Sequence, residues 1–302
     1  YSVNDSFFSE PNEVNSYYAG FIAADGCIRS NNSEKSRYLI FGLSIKDKEW
    51  LEHFANDIEF TGPITEYTFR GKKYVRMSIN SKQICDDLEK NFNITPRKTA
   101  TLIPPPLSDG KLIDAFICGY IDGDGCIYLY KNSVRNVQDT LTISMVGTYE
   151  VLSWIKERFT QILGKEFGSI SKYHNSEKNT YVYTIGQSKG AREIFKHFYN
   201  LNVPKLKRKW TDEIYDYCIN YKKRNPICRR KGVNIFDLEG NLIKHFDTLN
   251  EASEYTGVSV GRISDMCKIN DSKHQAKGYM FSRDDKMEKY EQSVYINKKY
   301  IK

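Results

Sequence analysis

Residues 18–28 read YAGFIAADGCI, and residues 117–127 read ICGYIDGDGCI. The two stretches form an internal repeat in which Asp25 and Asp124 occupy equivalent positions. The similarity continues downstream of both copies, where alternating and amphipathic stretches follow in the same order. The repeat therefore predicts two related structural units in the first two thirds of the chain.

Hydrophobic periodicity predicts each unit as helix, two strands, helix, two strands and helix. Val75, Met77 and Ile79 alternate with polar neighbours, as expected for a strand with one apolar face. We therefore predict an α+β fold of two pseudo-symmetric αββαββα halves, at 1–105 and 106–225. In each half, one sheet face is expected to pack on helices, while the other is polar and open.

The composition fits a globular protein of several domains. Of 302 residues, 40% are hydrophobic and 27% are charged, and no apolar run reaches the roughly 20 residues of a membrane-spanning helix. The net charge of +7 is modest, so its placement matters more than its total. The seven cysteines include no C-x-x-C pair, which favours reduced thiols. We expect an intracellular protein without a targeting signal, from bacterial or phage cytoplasm or encoded in an organelle.

A third region is expected to span 226–302, and a basic stretch marks its beginning. Thr248 and Glu251 are spaced as a capping box, and the helix that they begin is expected to end at Gly257. Ser259 can cap a second helix directly afterwards. This pattern predicts a small C-terminal domain similar to a helix-turn-helix.

Small residues recur on one face of the first predicted helix in each half. Gly20 and Ala24 stand four positions apart in one helix, and Gly119 and Gly123 repeat the spacing in the other. Residues at this spacing share a helix face, so the two helices can pack with their backbones nearly in contact. Such packing would bring the ends of the two helices together.

An aspartate occupies the last turn of both of these helices. The helix dipole disfavours an anion there by roughly 0.3–1 kcal/mol, and two adjacent carboxylates also repel each other. A divalent cation would relieve both costs, and carboxylate oxygens suit Mg²⁺. The alternative interpretation, an Asp-Gly stop that only ends a helix, is less favoured because Asp25 and Asp124 repeat the arrangement.

This pattern resembles the LAGLIDADG homing endonucleases of the single-chain, two-motif type, over about residues 12–225. The resemblance implies that two four-stranded sheets form a saddle over duplex DNA. It also implies that Asp25 and Asp124 bind divalent metal between the scissile phosphates, with the backbone carbonyls of Ala24 and Gly123. Hydrolysis would use Mg²⁺ or Mn²⁺ and leave short 3′ overhangs, whereas Ca²⁺ would support binding without cleavage.

The same resemblance implies basic residues around the metal site. Lys98 and Lys209 match two such catalytic positions, and Lys46 lies where the family often has a polar residue that organises solvent. The sixth motif position differs between the copies, because it is Ala23 in the first and Asp122 in the second. We expect Asp122 to make a structural hydrogen bond.

Outward-facing strand positions are expected to contact DNA, because Arg and Lys suit guanine edges and phosphates. The expected contacts on the open sheet faces are Arg29, Asn31, Ser44, Arg70, Arg76, Tyr128, Tyr130, Lys172 and His174. The C-terminal region resembles the nuclease-associated modular domain, whose second helix would enter a DNA groove. The contacts expected there are Ser259, Arg262 and Lys268, with Arg229 and Arg230 of the basic linker on phosphates.

These features predict a site-specific endonuclease of double-stranded DNA. The target should be long and asymmetric, because the two halves carry different residues. A monomer is expected because both motifs lie in one chain, and no membrane or organic cofactor is expected. The main alternative is an RNA maturase that assists intron splicing. A third hypothesis, a DNA-binding regulator, is disfavoured by the retention of both aspartates and both lysines.

Overall fold

The computed structural model describes residues 1–30, 36–131, 139–173, 179–186, 189–221, 232–270 and 272–290. The chain divides into two compact units, Tyr1–Lys222 and Lys223–Lys302. No helix within the described ranges is both long and apolar enough to cross a membrane.

The first half of the larger unit folds into helices and an antiparallel sheet with the strand order β1-β2-β4-β3. Its elements are α1 (Glu13–Asp25), β1 (Cys27–Ser30), β2 (Arg37–Ser44), α2 (Lys48–Asp57), β3 (Thr65–Phe69), β4 (Lys72–Asn80) and α3 (Lys82–Phe92). Asn12 and Asn15 form a capping box at the start of α1. Ser81 caps α3, since its side chain accepts a hydrogen bond from the Ile84 amide.

The second half repeats this order, which confirms the predicted αββαββα repeat. Its elements are α4 (Gly110–Asp124), β5 (Gly125–Tyr130), β6 (Thr140–Gly147), α5 (Tyr149–Leu163), β7 (Ser169–Lys172), β8 (Tyr181–Gly186) and α6 (Lys189–Tyr199). The strand order, β5-β6-β8-β7, is equivalent to that of the first sheet. An additional helix, α7 (Asp212–Ile219), was not predicted; Thr211 caps it.

Each sheet buries one face, as the alternating pattern predicted. The buried residues of the central strands are Leu39, Phe41 and Leu43 in β2, Val75, Met77 and Ile79 in β4, Leu141, Ile143 and Met145 in β6, and Tyr183 and Ile185 in β8. They belong to an apolar core that runs through both halves. Burial of one such side chain stabilises the fold by ~1.5–3 kcal/mol. The opposite sheet faces carry mainly polar and tyrosine side chains.

Helices α1 and α4 pack with almost no space between their backbones. A Cβ atom added at Gly20 would lie 1.9 Å from the Phe116 carbonyl oxygen, and one added at Gly119 would lie 1.9 Å from the Tyr17 carbonyl oxygen. Only glycine fits at these two crossing points, which confirms the role predicted for the small residues. The two halves are therefore joined along a helix pair whose spacing the backbones set.

The smaller unit has a three-stranded sheet of order β10-β9-β11 and two helices. Its elements are β9 (Val233–Phe236), β10 (Leu242–Phe246), α8 (Leu249–Thr256), α9 (Val260–Ile269) and β11 (Met280–Ser282). The predicted capping box of Thr248 and Glu251 is present, and α8 ends at Gly257 with φ 66°. Ile235, Ile263 and Phe281 are buried in a core of this unit alone.

Candidate active site and nucleic-acid interface

Asp25 and Asp124 are the last residues of the paired helices α1 and α4. The residues before them bring the helix ends together, because a Cβ atom on Gly123 would lie 2.3 Å from the Cβ of Ala24. Each aspartate is followed by a glycine in extended conformation, from which a strand of its sheet starts. The two carboxylates therefore stand where the helix pair meets both sheets.

The two carboxylates influence each other electrostatically. Both aspartates are exposed to solvent, although neighbouring protein atoms partly desolvate their carboxyl groups. Burial raises the pKa of Asp124 to about 6, and the neighbouring Asp25 adds to this increase. Burial also raises the pKa of Asp25, although Lys209 and Lys98 oppose the change. Both groups would accept a cation readily, because positive charge would stabilise their ionised forms.

Lys98 and Lys209 lie near these carboxylates but bond to backbone carbonyls. The Lys98 ammonium donates to the Gly26 carbonyl at 2.5 Å. The Lys209 ammonium donates to the carbonyls of Ile121 at 2.8 Å, Asp122 at 2.5 Å and Gly125 at 2.7 Å. Burial lowers the pKa of both lysines, while nearby aspartates oppose that effect. Each lysine thus places a buried positive charge at the end of its own motif helix.

Asp122 is fully buried and joins the two halves, which confirms the structural hydrogen bond that we expected. Its carboxylate accepts from the Tyr17 hydroxyl at 2.7 Å, from the Leu206 amide at 2.8 Å and from the Trp210 indole at 2.8 Å. Burial raises the pKa of Asp122 to about 6, although these donors favour its ionised form. The network fixes residues 206–210, and therefore the position of Lys209.

A second contact between the halves was missed at the sequence level. The Arg208 guanidinium forms a two-point ion pair with buried Asp47, at 2.7 Å from Nε to Oδ1 and 3.0 Å from Nη2 to Oδ2. The Trp50 indole also donates to the Pro204 carbonyl at 3.1 Å. These contacts hold residues 204–210 of the second half on α2 of the first half. The sequence offered one signal of this contact, the repeated basic stretch that contains Arg208. Nothing in the sequence identified Asp47 as its partner.

Lys46 lies beside this contact, in a 3₁₀ turn at Ile45–Asp47 that Ser44 caps. Its side chain is exposed, and among the described residues no ion pair involves it. Its ammonium group can therefore turn towards a bound ligand.

The donor set at the helix ends suits a hard divalent cation. Carboxylate oxygens of Asp25 and Asp124 and the carbonyl oxygens of Ala24 and Gly123 are the kinds of ligand that Mg²⁺ prefers. Within the described ranges, no group of three or more His, Cys, Asp or Glu side chains could hold a metal by itself. A cation here would draw further ligands from water and from a phosphate, as Mg²⁺ commonly does.

Most residues predicted to contact DNA from the sheets lie on the open faces. Arg29, Ser44 and Arg76 share the open face of the first sheet, because their registers alternate with the buried positions. Tyr128 and Tyr130 lie on the open face of the second sheet and are exposed. Asn31, His174, Arg229 and Arg230 lie outside the described residues.

Two predicted positions need correction. Arg70 is not in a strand but in the turn between β3 and β4, with φ 49°, and its guanidinium lies 5.2 Å from the centre of the Phe69 ring. Lys172 pairs with Tyr181 in the register that places Ile170 opposite buried Tyr183. Lys172 therefore projects from the helix-facing side, and Ser171 takes the open side. One residue of register reverses the face of every side chain in a strand.

In the smaller unit, the three predicted contacts lie on or next to α9. The Ser259 side chain caps this helix by accepting from the Arg262 amide at 3.4 Å. Lys268 forms an exposed ion pair with Asp265 at 3.0 Å. Arg262 is exposed and forms no ion pair with another described residue. Of the three, Arg262 is the side chain most available to a ligand.

The comparisons with known proteins match two parts of the chain. The family model of the LAGLIDADG endonucleases matches residues 117–218, and that of the NUMOD1 domain matches residues 231–266. Among curated proteins, no sequence matches this chain.

Several solved structures are similar in fold. The meganuclease I-AabMI bound to uncleaved DNA is 16% identical, with 72% of this chain and 94% of that chain covered at a TM-score of 0.48. The homing endonuclease I-LtrWI bound to target DNA is 14% identical, with 74% and 100% covered at a TM-score of 0.44. I-SmaMI bound to an uncleaved DNA target in the presence of calcium ions is 15% identical, with 70% and 90% covered at a TM-score of 0.40.

The fold and the site define a class of protein in which two αββαββα halves join through helices that end in aspartate. The family match covers the second copy of the motif, and the first copy shares its element order, strand order and Asp-Gly helix end. Residues 117–218 thus match the LAGLIDADG endonuclease family, and residues 231–266 match the NUMOD1 domain.

Proposed function

We propose that this chain is a site-specific endonuclease that cleaves double-stranded DNA at a long, asymmetric target. The observation that carries the proposal is the pairing of Asp25 and Asp124 at the ends of two helices in backbone contact. The pair stands between two sheets whose open faces are polar. A duplex that lies across both sheets would place one phosphate of each strand near one carboxylate.

The open faces would hold the duplex by hydrogen bonds and by positive charge. Arg29 and Arg76 project from the first sheet, and Tyr128 and Tyr130 from the second. Because the residues of the two halves differ, the base pairs that they contact should differ too, which supports an asymmetric target.

Asp25 and Asp124, with the carbonyls of Ala24 and Gly123, would hold Mg²⁺ or Mn²⁺, and Ca²⁺ would support binding without cleavage. Such ions supply activated water and stabilise the leaving oxygen of a phosphodiester. The carboxylates would hold the ions beside the scissile phosphates, and the positive charge would offset the burial that raises the pKa of both groups.

Lys98 and Lys209 would supply fixed positive charge beside the scissile phosphates. The geometry favours an electrostatic role over proton transfer, because both ammonium groups are held by carbonyl oxygens. Lys46, which is exposed, would order solvent next to Asp25 in the first half.

The NUMOD1 domain would lengthen the contact with DNA. Its helix α9 presents Arg262 and Lys268, and the basic linker before it carries Arg229 and Arg230. Two DNA-binding modules in one chain raise the effective concentration of the second once the first is bound. The RNA-maturase alternative gains no support from either matched family model.

The proposal is tested with a randomised duplex library incubated with the full chain, once in Mg²⁺ and once in Ca²⁺. We expect discrete ends with short 3′ overhangs in Mg²⁺, and retention of the same site without cleavage in Ca²⁺. Asp25→Asn and Asp124→Asn should bind this site and fail to cleave it. Asp216→Asn, an exposed helical aspartate away from the site, is the control and should cleave normally. Full cleavage by either site variant would contradict the proposal.

A further inference from the structure

Charged side chains are distributed unequally over the two open sheet faces. On the first sheet, Arg29, Lys72 and Arg76 occupy open-face positions, as their registers show. Glu66 of the same sheet lies on the helix-facing side, where it accepts a hydrogen bond from Lys48 of α2 at 2.7 Å. In the described strands, the open face of the first sheet is therefore cationic and carries no acid.

The open face of the second sheet has a different chemistry. Its described strands β5 to β8 place no charged residue on that face. The side chains present are hydroxyl-bearing or small and apolar, among them Tyr128, Tyr130, Thr142, Ser144, Val182 and Thr184. The charged residues nearby do not project from this face. Lys172 lies on the helix-facing side of the sheet, and Lys131 forms an ion pair with Glu213 of α7.

The difference falls at equivalent positions of the repeat. Each of Arg29 and Tyr128 stands two residues after the cysteine that follows the Asp-Gly pair. Strand pairing also makes Arg76 equivalent to Val182. Arg76 pairs with Gly42 in the first sheet, and Val182 pairs with Val146 at the same place in the second sheet. The halves thus present arginine on one side and an uncharged side chain on the other at two matched points.

Both arginines are available to a ligand. Arg29 and Arg76 are exposed and make no side-chain hydrogen bond or ion pair with another described residue. By contrast, Arg37 in the same sheet is held by Asp86 at 2.5 Å and by Glu89 at 2.6 Å. A guanidinium without a carboxylate partner can donate two hydrogen bonds to O6 and N7 of guanine in the major groove. Hydroxyl groups bond to several bases, and methyl groups contact thymine, so they discriminate differently.

We propose that the two sheets recognise their half-sites by different chemistry. Arg29 and Arg76 fix guanines in the half-site under the first sheet. The second sheet recognises its half-site through hydroxyl and methyl contacts, without bidentate guanine contacts from its strands. This inference rests on the proposed function, and it makes Arg76 and Val182 a matched pair of specificity positions.

The test exchanges the side chains at the matched pair in the full chain. Sites are selected from a randomised duplex library in Ca²⁺, and the cut ends in Mg²⁺ locate the centre that separates the half-sites. Arg76→Val should reduce discrimination for guanine at one base pair of one half-site by roughly 10- to 100-fold. Val182→Arg should create a guanine preference at the related base pair of the other half-site. Both positions lie on the open face, away from the core.

Lys82→Val is the control for loss of charge, since Lys82 is an exposed residue of α3 away from the open faces. It should leave base preference unchanged at every position. A uniform loss of affinity in Arg76→Val, with a shallower salt dependence and unchanged base preference, would assign Arg76 to phosphate contact and overturn the proposal. Equal guanine dependence of both half-sites in the unmodified chain would also overturn it, while leaving the endonuclease intact. Failure of the unmodified chain to select any duplex would contradict the endonuclease itself.

Discussion

The Asp122 carboxylate of α4 accepts a 2.7 Å hydrogen bond from the Tyr17 hydroxyl of α1, across the contact between the two halves. The Tyr17 hydroxyl in turn accepts from the Trp50 indole at 2.8 Å. On the other side, Asp122 also holds the Leu206 amide and the Trp210 indole. One buried carboxylate thus links elements from both halves, at a motif position where the first copy has alanine.

Removal of this carboxylate should therefore lower the free energy of unfolding far more than removal of one of its donors. Asp122→Ala leaves three buried donors without a partner and should lower the free energy of unfolding by about 3 kcal/mol or more. Tyr17→Phe removes two hydrogen bonds, one to Asp122 and one from Trp50. It leaves Asp122 its other two donors and Trp50 the Pro204 carbonyl, so a loss of about 1–2 kcal/mol is expected. Urea denaturation at pH 7 measures both variants. Similar small losses in the two would contradict the proposed role of Asp122 as the centre of the network.

The helix pair should tolerate no side chain at its two crossing glycines. Gly20→Ala or Gly119→Ala would force a methyl group against a carbonyl oxygen and should cost about 1–3 kcal/mol or more. Gly261→Ala is the control, because nothing lies within 4 Å of a Cβ atom there. An alanine at that helical position should stabilise α9 by about 0.5–1 kcal/mol. Thermal unfolding of the larger unit should therefore shift to lower temperature in the first two variants, and that of the smaller unit to higher temperature in the control. A tolerated Gly20→Ala would show that the helices can separate.

The two buried lysines should differ in their contribution to stability. Lys209 satisfies several carbonyl oxygens at the end of α4, whereas Lys98 bonds to one. Lys209→Met should therefore lower the free energy of unfolding by about 2–4 kcal/mol, and Lys98→Met by about 1–2 kcal/mol. Guanidinium denaturation gives this order, and cleavage assays on the folded fraction give the catalytic contribution separately. Equal losses in stability would mean that the additional carbonyl contacts of Lys209 contribute nothing net.

Acid should destabilise the larger unit partly through Asp114. This carboxylate is bonded to His197 at 2.8 Å and to Arg158 at 2.8 and 2.9 Å. Burial opposes ionisation, but these two partners lower the pKa of Asp114 below its usual value. A lowered pKa in the folded state contributes stability above the unfolded pKa of about 4, which is lost as the pH falls through the folded value.

Asp114→Asn should accordingly flatten the decrease of stability between about pH 5 and pH 3. At neutral pH the same variant should lose about 1.5–3 kcal/mol, since it weakens a hydrogen-bonded ion pair. Denaturant unfolding at several pH values measures both effects. Asp216→Asn, which is exposed, should keep the slope of the original chain. An unchanged slope in Asp114→Asn would assign the acid sensitivity to other groups.

The sequence predicted the repeat, the helix contact and the carboxylate pair, because all three depend on local periodicity and on two copies that can be aligned. The helix α3 matches its amphipathic stretch, Lys82 to Phe92, at both ends. The capping box of α8 could also be predicted, because Thr248 and Glu251 lie only three residues apart. Where one stretch of chain contains the whole physical cause, the sequence alone is sufficient.

The contacts between the halves could not be predicted in the same way. Asp47 and Arg208 are 161 residues apart, and nothing in either neighbourhood identifies the other. The prediction that Lys172 projects from the open face was wrong for a different reason. The parity of Lys172 depends on the exact pairing of a short strand, in which one residue of displacement reverses the face. Arg70 has a positive φ, a conformation that is uncommon for residues other than glycine. The residue type therefore did not indicate that Arg70 lies in a turn.

The contact of glycine backbones between α1 and α4 also limits how such a protein can diverge. Because the backbones of the two helices touch at Gly20 and Gly119, the separation of Asp25 and Asp124 is a fixed dimension of the fold. Under the proposed function, the two cuts across a duplex should then stay the same distance apart in any descendant that keeps these glycines. The sheets face no such restriction, so new target sequences can be acquired by surface substitution while the geometry of the break is inherited unchanged.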